Sequence, residues 1–195
     1  EINGTVTTSN GKKLEGATVT LYRGTTQVQQ VRTLANGKYT VTIDHDFDYT
    51  LTATKAGFIV KKLLFSTKGI PSDVAKTFEK KISSDFSIFE IPKDPSIASQ
   101  INSILEQPMG KFIYDPTMLD IDYDREYSQS MLQQLDRLNT LEKEAKKKED
   151  DAKKKEEELA KSQQASLAAV EGHYKEVIAK ADAAFGKKDY ATAKA

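Results

Sequence analysis

Apolar and polar residues alternate with a period of two along the chain as far as Ile91, and this predicts a series of short, half-buried strands. Ile2, Gly4 and Val6 share one face. Ala17, Val19 and Leu21 point one way, and Thr18, Thr20 and Tyr22 the other. Further runs cover Gln27 to Leu34, Tyr39 to Ile43, Tyr49 to Ala53, Phe58 to Phe65, and Phe78 to Ile91. Turn chemistry separates them: Ser9-Asn10-Gly11-Lys12, Arg23-Gly24-Thr25 and Ala35-Asn36-Gly37. The Asn-Gly pair tolerates the positive φ of a tight hairpin. Seven strands at this spacing predict a small antiparallel sandwich over residues 1–91.

Pro92 and Pro95 end the alternation. Ile97, Ile101, Ile104 and Leu105 recur at helical spacing behind Ser96, which predicts a short helix capped by Ser96 and stopped at Pro108. Lys111 to Tyr114, Asp115-Pro116 and Leu119 to Tyr123 then read as strand, turn and strand. Residues 92–124 are thus expected to be a connecting segment that packs back on the sandwich or forms a collar at the base of the next helix.

Beyond it the period becomes helical. Asp124 is a natural N-cap, and Met131, Leu135, Leu138 and Leu141 form an apolar stripe. A seven-residue line continues through Ala145, Ala152 and Leu159, but Glu142, Glu149 and Glu156 occupy the alternate core positions. The seam of a coiled coil is therefore half missing. Acid–base pairs four residues apart, such as Glu149–Lys153 and Glu157–Lys161, each contribute about 0.2–0.5 kcal/mol and together support an isolated helix. A helix from Asp124 to Phe185 would run about 90 Å at ~1.5 Å per residue, with Gly172 as a potential interruption. Residues 125–171 read as this charged helix, so the fold class is multidomain, β then α.

Composition adds exclusions. The 195 residues carry 29 basic and 29 acidic side chains and no Cys. Nucleic-acid binding favours a basic excess, and the lysine triplets Lys146–Lys148 and Lys153–Lys155 alternate with acidic triplets, as on a solvated helix. No stretch approaches the ~20 apolar residues of a membrane span. The chain opens at Glu1, which suits a processed chain or a fragment.

Several segments carry resemblances. G-T-V at Gly4, N-G-K-K-L-E-G-A-T-V-T-L (Asn10 to Leu21), N-G-K-Y-T-V (Asn36 to Val41) and Y-T-L-T-A-T-K-A-G-F (Tyr49 to Phe58) resemble the carboxypeptidase regulatory-like domain. That resemblance implies a transthyretin-like, immunoglobulin-like sandwich in an accessory role, without peptidase activity. The P-x-x-K-x-x-Y-D run from Pro108, followed by Asp122-Tyr123-Asp124, is similar to the segment joining such a sandwich to helices in large envelope proteins of the Bacteroidota. Residues 172–195, with Ala181, G-K-K-D-Y-A-T-A (Gly186 to Ala193) and Tyr190, look like the start of a tetratricopeptide repeat. One repeat cannot bury its own face, so a longer protein is expected.

Candidate chemistry is sparse. Asp44, Asp46 and Asp48 form a D-x-D-x-D run, but Tyr49 and Lys55 stand where a calcium loop needs Gly and Glu. Asp120, Asp122 and Asp124 alternate similarly, and a strand edge plus a helix cap accounts for them. His45 and His173 have no second ligand at metal spacing. Neither a nucleophile elbow nor a phosphate loop is present. No catalytic, cofactor or metal residue is therefore assigned.

The expectation is a non-enzymatic scaffold in the periplasm or at the outer-membrane periphery of a Gram-negative bacterium. The sandwich would bind one protein partner and the repeats another, in a setting such as type IX secretion or gliding. The rival expectations are a carbohydrate or peptidoglycan module, which needs an aromatic platform from Tyr22 and Tyr39, and a stalk that oligomerises through the long helix.

Overall fold

The computed structural model describes residues 1–75 and 80–186. The alternating runs form β1 (Ile2–Thr8), β2 (Thr18–Arg23), β3 (Thr26–Arg32), β4 (Lys38–Val41), β5 (Asp48–Thr54) and β6 (Lys61–Ser66). After a single turn of helix, α1 (Ser72–Ala75), come β7 (Ile82–Ser83) and β8 (Phe86–Ile88). Helix α2 (Pro95–Leu105), the hairpin β9 (Lys111–Asp115) and β10 (Asp120–Tyr123), and helix α3 (Arg125–Gly186) complete the order. Phe78, where the last run was expected to start, and the repeat turn past Gly186 lie outside the described residues.

Two sheets face each other. One has β1 at its centre, with β4 on one side and β7 and β8 on the other; the second runs β10-β9-β6-β5-β2-β3. Their inner faces share a core that includes Ile2, Val6 and Val41 from the first sheet and Val19, Leu21, Leu51 and Phe65 from the second. Phe65 stacks on Phe112 at 4.6 Å between centroids, and Tyr123 packs against Phe112 at 4.4 Å.

The sheets are not purely antiparallel. β7 and β8 pair parallel with β1 in one shared register, Ile2 opposite Ile82 and Val6 opposite Phe86. β9 pairs parallel with β6. Parallel neighbours need a crossover rather than a tight turn, and the chain between each pair, residues 9–81 and 67–110, is long enough for one. The hairpin β9–β10 therefore extends the sandwich sheet itself.

Helix α2 is capped by Asp94 and not by Ser96: the Asp94 carboxylate accepts from the backbone N–H of Ser96 at 2.9 Å and of Ile97 at 3.3 Å. Pro95 explains the difference, because it lacks an N–H and its fixed φ suits the first helical position. Ile97, Ile101 and Leu105 face the core.

Two compact units emerge, Glu1–Lys146 and, from Lys147 onward, the remainder of α3. In the first, α3 buries Met131, Leu138, Leu141 and Ala145, and the Arg137 guanidinium donates to the Gln100 side-chain oxygen of α2 at 2.7 Å. In the second, the helix continues without a break through Gly172, and Leu159, Leu167, Val170, Tyr174, Val177, Ile178 and Phe185 are 44–68% exposed.

Candidate functional site

The alternating aspartates before α3 have a structural explanation. Asp124 N–H donates to Lys111 O across the β9–β10 hairpin at 2.9 Å. By alternation, Ile121 and Tyr123 point their backbone groups away from β9, toward the open edge of the sheet. Those two outward N–H groups are taken by the preceding aspartates: Ile121 N donates to Asp120 Oδ1 at 2.8 Å, and Tyr123 N to Asp122 Oδ1 at 2.7 Å. The outward Ile121 carbonyl accepts from Lys80 Nζ at 3.0 Å, and Lys80 also pairs with Asp120. Asp124 caps α3, accepting from Tyr127 N at 3.0 Å, and pairs with Lys111 at 3.0 Å. The Tyr127 N–H and then Lys111 hold its carboxyl below the ordinary aspartate value.

Asp44, Asp46 and Asp48 likewise diverge. Asp44 sits 4.0 Å from Arg23, whose guanidinium lies 4.4 Å from the Phe47 ring centroid. Asp46 occupies the left-handed region at φ 68°. Asp48 pairs with Lys68 at 2.6 Å and accepts from the Ser66 hydroxyl at 2.7 Å, contacts that lower its pKa. The Thr67 hydroxyl closes the turn, donating to Asp44 O at 2.9 Å and accepting from Phe47 N at 3.0 Å. Among the described residues, no group of three His, Cys, Asp or Glu side chains is placed to hold a metal ion.

The opposite edge of the same sheet is β3. Thr33 N donates to Ala17 O at 2.9 Å, so the odd-numbered residues Val31 and Gln29 turn their backbone groups toward β2. Gln30 and Arg32 turn theirs outward. Val28 lies at the register shift opposite Leu21 and Tyr22. The neighbouring edge of the other sheet, β4, is largely closed: Lys38 N donates to Asn36 Oδ1 at 3.0 Å, Leu34 N to Lys38 O at 3.1 Å, and Thr42 N to Gln29 Oε1 at 2.9 Å.

Tyr22 and Tyr39 make no common platform. Tyr22 belongs to β2 and Tyr39 to β4 in the other sheet, where Tyr39 is buried and donates its hydroxyl to Ser84 O. Burial pushes the Tyr39 phenol well above its usual pKa. A cavity of about 350 Å³, lined by Glu1, Ile43, His45, Thr67, Lys80 and Ile121 among others, opens at one end of the sandwich. No short-range pattern signals it, because its walls come from distant segments. Lys61, opposite Ala53 on the inner face of its sheet, was also missed; burial lowers its amine's pKa, and Glu142 of α3 opposes that shift. His173 lies on the exposed second part of α3.

Residues 1–69 match the family model of the carboxypeptidase regulatory-like domain. The match covers β1 to β6, the first part of the sandwich. No curated protein sequence matches the chain. Solved structures with some likeness include a chlorocatechol 1,2-dioxygenase from Pseudomonas putida, at 16% identity and TM-score 0.31 over 46% of this chain and 59% of that one. A 3-chlorocatechol 1,2-dioxygenase from Rhodococcus opacus 1CP gives 11% identity and TM-score 0.31, over 46% and 58%. A catechol 1,2-dioxygenase from Pseudomonas arvilla C-1 gives 15% and 0.32, over 49% and 53%. The chain thus spans between about half and three fifths of those proteins, and at this level the likeness carries no argument about it. Among the described residues, no helix is long and apolar enough to cross a membrane.

Proposed function

We propose that the chain is a non-enzymatic adaptor of the bacterial cell envelope, joining one protein partner on the regulatory-like sandwich to another on its helical region. The observation that supports this reading most is the apolar row on α3. Leu167, Val170, Tyr174 and Val177 recur at helical spacing and are 50–68% exposed. Exposed apolar surface of this kind marks a protein contact. The aspartates that could have served chemistry are instead used on backbone N–H groups and lysines. The periplasmic setting, and a place in secretion or gliding machinery, follow from the resemblances in sequence.

The test is affinity capture from a cell-envelope extract of a Bacteroidota species, using the full chain and a Val170→Asp/Tyr174→Asp double variant. A defined envelope protein retained by the first and lost by the second is the expected result. Equal recovery on both would remove the helical contact from the proposal.

A further inference from the structure

The two edges of the six-stranded sheet differ. At β10, both outward N–H groups are occupied by Asp120 and Asp122, and the Ile121 carbonyl by Lys80. Such self-capping keeps a strand edge from recruiting another chain. At β3 the outward backbone groups of Gln30 and Arg32 have no such caps among the described residues. The nearby β4 edge, by contrast, is held at Lys38 and Thr42. The spacing of donors and acceptors on alternate residues matches that of another extended backbone.

The side chains around this edge specify the chemistry further. Val31 is only partly buried against the core, while the edge ends at Leu34, whose N–H is already paired with Lys38 O of β4 at 3.1 Å. An added strand would direct every second side chain to the inner face beside Val31, so apolar residues belong at those positions. Arg32 is exposed and makes no ion pair among the described residues, so a carboxylate belongs opposite it.

From this we propose that β3 is a strand-acceptor edge, and that its occupant is an extended segment of a partner protein. That segment has apolar residues at alternate positions and a carboxylate facing Arg32, and it extends the sheet beyond β3. The inference rests on the adaptor reading and gives the sandwich's partner its form. It is tested at a site on the first unit, whereas the apolar row of α3 belongs to the second, so either can fail alone.

The probe is a displayed library of random peptides long enough to span β3, selected on the full chain. Gln30→Pro is the blocking variant. Its N–H points outward, so proline removes no backbone bond to β2, only the side-chain bond from Gln30 Nε2 to Thr20 Oγ1 at 3.2 Å, and it obstructs an incoming strand. The expected result is a set of peptides of the stated pattern that bind at least about tenfold more weakly to Q30P, as strand addition through main-chain bonds requires. On the unaltered chain, the same peptides should slow amide exchange at Gln30 and Arg32, a readout that does not depend on the variant's folding. Peptides that bind without protecting those amides would overturn the proposal, as would a selection that returns no binder. A concentration-dependent dimer of the chain that is lost in Q30P would assign the edge to a second copy instead, and would also overturn it.

Discussion

The Tyr39 hydroxyl donates to the Ser84 carbonyl at 2.5 Å, reaching across β1 at the position of Gly4. Gly4 makes this passage available: a Cβ there would lie 1.8 Å from Ser84 O and 2.7 Å from the Tyr39 hydroxyl. The line of β7 and β8 is interrupted at the same level, where Thr5 N donates to Asp85 Oδ1 at 2.7 Å. Gly4→Ala should therefore lower the unfolding free energy by about 3 kcal/mol, the upper end of overpacking costs. Tyr39→Phe should cost about 1–2 kcal/mol through the unmet carbonyl. Urea unfolding of both variants checks the order; an unchanged midpoint for G4A would contradict it.

The carboxylates of Asp48, Asp115 and Asp124 are all held below the usual aspartate value. Groups with depressed folded pKa values contribute stability above their unfolded value, near pH 4, and lose it as pH falls through the folded one. Stability should be level down to about pH 5 and then fall toward pH 2. Asp124→Asn should flatten that fall, since it removes a titrating cap while keeping an acceptor for Tyr127 N. Thermal unfolding across this range gives the comparison; superimposable slopes would exclude Asp124 as a contributor.

Asp120→Ala/Asp122→Ala would expose two outward N–H groups on β10. Each has water as an alternative partner, so the monomer should change by about 1 kcal/mol or less. Self-association should rise much more, because an uncapped edge recruits strands. Light scattering over time at fixed concentration separates the two effects. A double variant that loses stability without aggregating would contradict the assigned role.

Lys61 presents the opposite case, a charge placed on the inner face of its sheet. Its lowered pKa means that the unfolded chain binds the extra proton as pH rises through the folded value toward about 10. Stability should gain over that window, and Lys61→Met should remove the gain while being neutral or stabilising by about 1 kcal/mol at pH 7. Denaturant unfolding at pH 7 and pH 10 decides. A large loss at pH 7 would show that the Glu142 contact outweighs burial.

Much of this architecture was legible where the signal is local. Alternation placed β1 to β6, Asn36-Gly37 marked its turn, and Asp124 was readable as the cap of α3. The same aspartate run was assigned to a strand edge and a cap, and the hydrogen bonds of Asp120, Asp122 and Asp124 show how it serves them. What escaped depends on long-range pairing. Nothing near Ile82 or Lys111 signals that each lies parallel to a strand far earlier in the chain, because crossovers carry no turn signature. The open edge at β3 was equally hidden, since an edge is defined by which neighbours are absent. The Asp94 cap is readable in principle from the Asp-Pro pair, although Ser96 offers a competing capping hydroxyl two residues on.

The central claim is that two separate surfaces of this chain hold protein partners. Photo-crosslinking residues placed at Gln30 and at Val170, with Lys154 as an exposed control, test it in living cells. Discrete crosslinked species at Gln30 and at Val170, different from each other and missing at Lys154, are predicted. The same background at all three positions would contradict the claim.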